Sequence, residues 1–161
     1  MRKFFNFNGS GSELPYRMSD RILDIVGIAL VGLQLLLFVF LYEWDKEQGY
    51  GVVESSYAVW MVLAVLFWLI GFFASRNPSF VNVPVRMNPK RATVQNYWKC
   101  HFARWLNLVL PVINVTTCWT ERNGRLELPM GWAKAFNVLA FTLLVALTIV
   151  MTIKVYRAGR G

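Results

Sequence analysis

The sequence predicts an all-α integral membrane bundle of four transmembrane helices, joined by short loops and an amphipathic cytoplasmic connector. Charge-free apolar runs occupy 25–40, 57–74 and 135–153, and each approaches or reaches the roughly 20 residues that a helix needs to cross about 30 Å of hydrocarbon. The composition is 56% hydrophobic with a mean hydropathy of +0.41, which is too apolar for an ordinary soluble domain. The basic residues flank the apolar runs, as expected beside anionic lipid headgroups.

The first helix is predicted at about 20–42. Residues 1–18 are expected to form a flexible cytoplasmic N-terminus, because they contain a run of Asn, Gly and Ser followed by a proline. Ser19 is suited to cap the helix, and Asp20 to its first turn, where the helix dipole favours negative charge. Gly49 then interrupts regular structure before the second helix.

The second and third helices are predicted at about 57–75 and 89–120. An Asn-Pro pair at 77–78 ends the second helix, because the residue before a proline is disfavoured in the helical conformation. A second Asn-Pro pair at 88–89 supplies an N-cap followed by proline at the first helical position, where proline is well tolerated. Between the two pairs, we expect an extended connector on the membrane surface.

The third helix is the ambiguous crossing. Its apolar part, 105–119, is only about 15 residues long, and two asparagines and a proline interrupt it, which also fits a re-entrant helix. A full crossing is nevertheless predicted, which makes 19–156 a four-helix transmembrane domain. Its last helix is expected at about 131–156, followed by a basic tail at 157–161.

Charge asymmetry supports that topology. Thirteen of the 17 lysines and arginines lie in three regions: four in the N-terminus, six in the connector and the start of the third helix, and three in the C-terminus. The other four lie in the two remaining loops. By the positive-inside rule, both termini of a multi-pass membrane protein are therefore predicted to be cytoplasmic.

A polar stripe follows one face of the third helix. Cys100, Arg104, Asn107, Pro111, Asn114 and Cys118 recur at spacings of four, three, four, three and four residues. Polar groups are costly against lipid, so the stripe is expected to face the bundle interior, where Gln34, Asn137 or Thr142 could bond to it. Two interpretations stay open: Arg104, Asn107, Pro111 and Asn114 either join helices or line a polar path.

Two charged groups are candidate interaction surfaces. An acidic outer loop formed by Glu43, Asp45, Glu47 and Glu54 would attract a cationic ligand. On the opposite side, Arg86, Lys90, Arg91 and Lys99 would contact anionic headgroups, because a cationic helix start with interleaved aromatic residues suits the headgroup region.

Catalytic, metal and cofactor sites are not predicted. His101 is the only histidine, and no serine or cysteine with an orienting acid accompanies it. Cys100 and Cys118 lie about 27 Å apart along one helix, so they cannot form a disulfide with each other. Nucleic acid is not expected as a partner, because the basic residues line no single soluble face.

The central region resembles a known group of proteins. The run Arg-x-Pro-x-Phe-x-x-x-Pro-Val at 76–85, the residues Ala92 and Gln95, and the run Arg-Trp-Leu-x-Leu at 104–108 are similar to an uncharacterised family of small bacterial multi-spanning membrane proteins. That domain is also similar to the N-terminal part of sporulation-delaying-toxin immunity proteins. The resemblance covers roughly 20–156 and implies a helical bundle in the bacterial inner (plasma) membrane, with no established enzymatic activity. This chain departs from the family in carrying an acidic stretch at 43–51.

The sequence therefore favours a non-enzymatic membrane protein that acts through partner or peptide binding, as an accessory or immunity-like protein. A membrane protein or a cationic peptide is the expected partner, beside anionic lipid. The alternative is a small transporter or channel, in which a homo-oligomer forms a polar path along the third helix.

Overall fold

A computed structural model describes residues 17–50, 54–129 and 131–160. It contains four α-helices, α1 (Met18–Glu47), α2 (Glu54–Ala74), α3 (Ala92–Arg125) and α4 (Ala133–Arg160), and two short 3-10 turns at Pro78–Phe80 and Pro89–Arg91. The all-helical prediction is confirmed for these ranges, which contain no strand. Most of the predicted N-terminal segment, 1–16, lies outside the described residues.

α1 begins one residue before the predicted cap and ends five residues after the predicted end. The expected Ser19 cap is wrong: the helix starts at Met18, and the Asp20 carboxylate accepts the backbone N–H of Arg17 at 2.9 Å. Gly49 adopts a left-handed conformation with φ of +69°, and its N–H bonds back to the Lys46 carbonyl. That arrangement terminates the helix, because a left-handed residue cannot continue it.

Asparagine side chains shape the connector between α2 and α3, and the cap predicted at Asn88 is confirmed. The Asn77 side chain accepts the backbone N–H of Ser79, and the Asn88 side chain accepts that of Lys90. Each cap is followed by a proline that opens a 3-10 turn, and α3 continues from the second turn at Ala92. The expectation that 157–161 is a separate tail is corrected, because α4 remains helical to Arg160.

Three helices contain segments long and apolar enough to cross a membrane: Met18–Glu47, Tyr57–Ala74 and Lys134–Arg160. α3 does not qualify by composition, although it is the longest helix at 34 residues. It packs against each of the other three helices, whereas α4 packs mainly against α3. α3 is therefore the central helix of the bundle.

α1 and α3 run parallel. Asp20, near the start of α1, meets His101 in the first third of α3, and Asp45, near the end of α1, meets Arg122 near the end of α3. α2 runs in the opposite direction. Tyr57, near its start, bonds to Asp45 at the end of α1, and Arg76, two residues after its end, bonds to Asp24 near the start of α1. The bundle thus has two ends, each marked by a cluster of charged side chains.

Candidate functional site

The α1–α3 interface carries most of the buried polar groups in the described chain. Residues on the interface side of α1 recur at 20, 24, 27, 31, 34, 38, 41 and 45, and the α3 stripe recurs at 100, 104, 107, 111, 114 and 118. Both series alternate steps of four and three, the spacing of helices that pack along a common seam. The two series align with an offset of 80 residues, as the Asp24–Arg104 ion pair shows at 3.2 Å.

At one end lies the Asp20 cluster, formed by Asp20, Asp24, Arg76, His101 and Arg104. Asp20 is fully buried, and its Oδ1 lies 2.8 Å from His101 Nδ1 and 3.5 Å from Arg104 Nη1. Asp24 lies 3.2 Å from Arg104 Nε and 3.3 Å from Arg76 Nη2. Two carboxylates and two guanidinium groups therefore balance one another, which offsets the cost of removing them from water.

The hydrogen bonds of His101 identify its tautomer. The Trp105 indole N–H, which can only donate, lies 3.2 Å from His101 Nε2. Nε2 must then be the acceptor. Nδ1 therefore carries the ring hydrogen and donates a hydrogen bond to the Asp20 carboxylate. Both ring nitrogens of the only histidine are thus engaged inside the protein, and His101 ties α3 to α1.

At the other end lies the Asp45 cluster, formed by Asp45, Tyr57, Arg122 and Asn123. Arg122 Nε donates to both oxygens of Asp45, at 3.0 and 2.8 Å, and the Tyr57 hydroxyl donates to the same carboxylate. Asn123 accepts from Arg122 and donates to the Pro129 carbonyl, which fixes the turn after α3.

Between the clusters, Asn107 fits against two glycines. A Cβ atom at Gly71 of α2 would overlap the Asn107 amide, and one at Gly27 of α1 would lie 3.5 Å from the Asn107 Cβ. The contact at Gly27 would be an ordinary van der Waals contact, whereas Gly71 has no room for a side chain, and its absence lets α2 approach α3 closely. Four residues later, Pro111 lacks an amide hydrogen and so cannot bond to the Asn107 carbonyl.

Two turns farther along lies the amide layer, Gln34 and Asn114. Asn114 Nδ2 donates to the Trp60 backbone carbonyl of α2 at 3.4 Å. Its Oδ1, and both amide atoms of Gln34, are buried without a hydrogen-bond partner. The predicted bonds from Gln34, Asn137 and Thr142 to the stripe are wrong: Asn137 donates to Thr117, and Thr142 donates to a carbonyl of its own helix.

A third polar contact fastens the end of α4 to the start of α3. Gln95 is fully buried, accepts the Asn88 backbone N–H at 2.8 Å, and donates to the Val155 carbonyl at 3.2 Å. Asn88 in turn donates to the Gly159 carbonyl at 2.8 Å. A side chain at Gly159 would collide with the Gln95 amide, which explains the glycine. Sequence reasoning noted Gln95 only within a motif and missed this role.

The structure places the predicted stripe inside the bundle. Arg104, Asn107, Pro111 and Asn114 are all buried. On the opposite face of α3, the exposed positions between 101 and 120 are Trp105, Val112 and Trp119, spaced seven residues apart, at 37%, 44% and 37% exposure. The polar face of α3 is thus covered by protein and its outer face is apolar.

The predicted acidic outer loop requires correction. Glu43, Asp45 and Glu47 belong to the last turns of α1 rather than to a loop, because the Asp45–Arg122 pair extends the helix past its apolar part. Asp45 is buried, so it cannot attract a ligand, whereas Glu43 and Glu47 are exposed. The Glu54 side chain lies outside the described residues.

The predicted headgroup residues lie on one end of the bundle. Arg86, Lys90 and Arg91 are exposed, and Lys99 is half-buried. The Asn88–Gly159 bond brings the cationic end of α4 to the same place, where Lys154 Nζ lies 4.5 Å from the Trp98 ring. The acids described at this end, Asp20 and Asp24, both belong to the buried Asp20 cluster. The exposed surface here is therefore cationic.

The chemistry of these groups is that of helix association. Asp20, Asp24, Asp45 and His101 are each engaged with side chains of other helices or of the connector. Within the described ranges, no three His, Cys, Asp or Glu side chains are arranged to hold a metal ion. Comparison with protein-family models, curated proteins and solved structures finds no match for this chain.

Proposed function

We propose that this chain is a four-crossing integral membrane protein that works by binding a partner at the membrane and not by catalysis. The observation that carries the first half of the proposal is the course of α3. It runs beside α1 from His101 to Arg122, a length of 21 residues or about 31 Å, which matches the hydrocarbon thickness of about 30 Å.

The surface of α3 supports the same conclusion. Its polar side chains are covered by α1 and α2, while Trp105, Val112 and Trp119 face outward. The two tryptophans lie 14 residues or about 21 Å apart, a separation that puts each ring toward one interface, where tryptophan is favoured. Composition-based criteria overlook such a helix because they average over both faces.

Orientation follows from the charged ends. The end that carries Arg86, Lys90 and Arg91 exposes cations and, among the described residues, no carboxylate outside the Asp20 cluster. The other end exposes Glu43 and Glu47 together with a smaller number of cations than the first end, which are Lys46, Arg125 and Lys134. By the positive-inside rule, the cationic end lies in the cytoplasm, so both termini do, and the Asp45 cluster lies at the outer surface of a bacterial-type inner membrane.

Partner binding is the activity that this arrangement favours. The buried acids and the histidine are used between helices, which leaves the exposed surfaces for function. Glu43 and Glu47, with Glu54 at the start of α2, would attract a cationic peptide or the cationic segment of a membrane protein. An accessory or immunity-like role fits this surface and the family resemblance in the connector.

The transporter alternative has less support. Asn107, Pro111 and Asn114 lie under α1 and α2, so they do not face a second copy. Within one chain, the apolar layers Val31–Pro111 and Phe38–Cys118 separate the polar groups along the seam. A proton or ion path would have to cross both layers. Flux measurements on liposomes that contain the purified protein test this alternative.

The experiment that tests partner binding measures the affinity of a cationic peptide of alternating Lys and Leu for the protein in zwitterionic nanodiscs. The variant E43Q/E47Q/E54Q should weaken binding by about tenfold or more, because steering depends on local charge. The control E121Q/E127Q removes two carboxylates from the last turn of α3 and from the turn that follows it, at the same end of the bundle. Equal binding by the triple variant and the unaltered protein would refute this role of the three glutamates.

A further inference from the structure

Gln34 has the largest unmet hydrogen-bonding capacity among the buried side chains of the described chain. It is 3% exposed, and neither its Oε1 nor its Nε2 has a hydrogen-bond partner. Asn114 is also 3% exposed, and its Oδ1 is unpartnered because the donor half of its amide is turned toward the Trp60 carbonyl. Buried polar atoms of this kind are rare in folded proteins, and each needs an explanation.

The packing register puts the two amides at one level. A Cβ at Gly27 would lie 3.5 Å from the Asn107 Cβ, which fixes α1 against α3 at that point. Gln34 and Asn114 each lie seven residues farther along these parallel helices, which is two turns or about 10 Å. They therefore face the same layer of the seam, and Trp60 brings α2 to it.

We propose that Gln34 and Asn114 bind internal water between α1, α2 and α3. Water supplies what the layer lacks, because it donates hydrogens to the two carbonyl oxygens and accepts one from Gln34 Nε2. Buried waters in proteins make two to four such bonds to polar groups that would otherwise remain unsatisfied. The surroundings of Asn107 are different, because its amide packs directly against the backbone of Gly71.

The charge around the layer selects a neutral ligand over a cation. The nearest acids on α1 are Asp24 and Asp45, ten and eleven residues from Gln34 or about 15 and 16 Å along the helix. Both carboxylates are already paired with arginines at the two ends of the bundle. A metal ion in the amide layer would have no counter-charge, and an uncompensated charge at this depth is expensive.

The packing on both sides makes this a closed site and not part of a continuous path. By the same register, Val31 and Pro111 lie at the next level toward the Asp20 cluster. Phe38 and Cys118, which belong to one buried hydrophobic cluster, lie at the next level toward the Asp45 cluster. All four side chains are buried. Water bound at Gln34 therefore exchanges with solvent only when the helices separate locally.

The test is a water–amide cross-relaxation measurement by NMR on the isotope-labelled protein in nanodiscs, with the Gln34 side-chain signal assigned from its loss in Gln34→Leu. We expect a cross-peak between the Gln34 Nε2 protons and water, which weakens or disappears in Asn114→Leu. Gln95 is the matched control, because it is an equally buried glutamine whose amide bonds only to protein groups. Its side chain should show no long-lived water contact.

Two results would overturn the proposal. A direct contact between the Gln34 and Asn114 amides, with no water cross-peak, would mean that the two side chains satisfy each other. A Tm that depends on whether the salt is sodium, potassium or choline chloride at equal ionic strength, and that loses this dependence in Gln34→Leu, would mean that a cation occupies the layer. The proposal predicts the same Tm in all three salts.

Discussion

α3 and α4 lie side by side and distribute their side chains in opposite ways. α3 buries an arginine and three asparagines and presents Trp105, Val112 and Trp119 outward. α4 is apolar on nearly all sides, and the hydrophobic side chains that it buries in the described chain are Ala140, Met151 and Val155. Both arrangements are stable in lipid, because lipid solvates apolar side chains and excludes polar ones. Apolar composition alone therefore identifies α4 as a candidate crossing, whereas the crossing that we propose for α3 rests on its length, its buried polar face and its apolar outer face.

The largest expected effect comes from the charged end of α3. Arg122→Met leaves the Asp45 carboxylate buried without its main partner, so we expect the free energy of unfolding to fall by about 3–5 kcal/mol. Unfolding of the purified protein in micelles measures it. Arg125→Met is the control on the same turn, since its exposed i,i+4 pair with Glu121 is worth no more than about 1 kcal/mol. Equal losses in the two variants would contradict the buried role of Arg122.

The second prediction tests whether α3 and α4 face the same solvent. Val112→Lys and Val145→Lys both put a charge on an exposed position near the middle of a helix. If lipid surrounds both helices, each substitution costs membrane insertion about 2.5–3.5 kcal/mol and lowers the membrane-integrated fraction similarly. Val94→Lys, an exposed valine at the start of α3, should have little effect. If Val145→Lys lowers the membrane-integrated fraction and Val112→Lys does not, lipid does not surround the outer face of α3.

The third prediction concerns how closely α3 packs inside the bundle. Gly71→Ala places a methyl group on the Asn107 amide, so we expect a loss of about 1–3 kcal/mol in the free energy of unfolding. Gly32→Ala on α1 is the matched control, because nothing lies within 4 Å of its added Cβ. Since alanine favours helix more than glycine, that control should be neutral or slightly stabilising. Similar effects of both alanines would mean that the α2–α3 contact is looser than described.

The smallest effect is expected at the outer face of α3. Trp105→Phe keeps an aromatic ring but loses the indole hydrogen bond to His101, which is worth about 0.5–1.5 kcal/mol. Trp119→Phe is the counterpart 14 residues along the same outer face, 18 residues from His101. It keeps an aromatic ring beside Arg122, whose Cζ lies 5.6 Å from the centre of the Trp119 ring. Thermal unfolding should separate the two variants, with Trp105→Phe the less stable. A lower Tm for Trp119→Phe would argue against a role of Trp105 in holding His101.

Much of the fold is accessible from sequence because apolar runs and Asn-Pro caps act locally. The burial of Asn107 and Asn114 follows from their spacing in the same way. The partners could not be predicted so readily, because Asp20, Asp24 and Asp45 lie some 80 residues from the groups that they contact. The sequence alone places Asp45 in a loop, because a carboxylate past an apolar run normally faces water. The steps of four and three residues that α1 and α3 share are the pattern from which their packing against each other could have been predicted.

Whether α3 crosses the membrane is tested most directly by thiol labelling in intact cells. Gly124→Cys and Asn82→Cys place exposed thiols just before the end of α3 and in the connector. The native cysteines give a low background, because both are buried and burial raises the pKa of the Cys100 thiol to about 11. With a membrane-impermeant maleimide, a crossing α3 predicts labelling at 124 in intact cells and at 82 only after lysis. Protection of 124 until lysis would place both ends of α3 on the cytoplasmic side and contradict the four-crossing bundle.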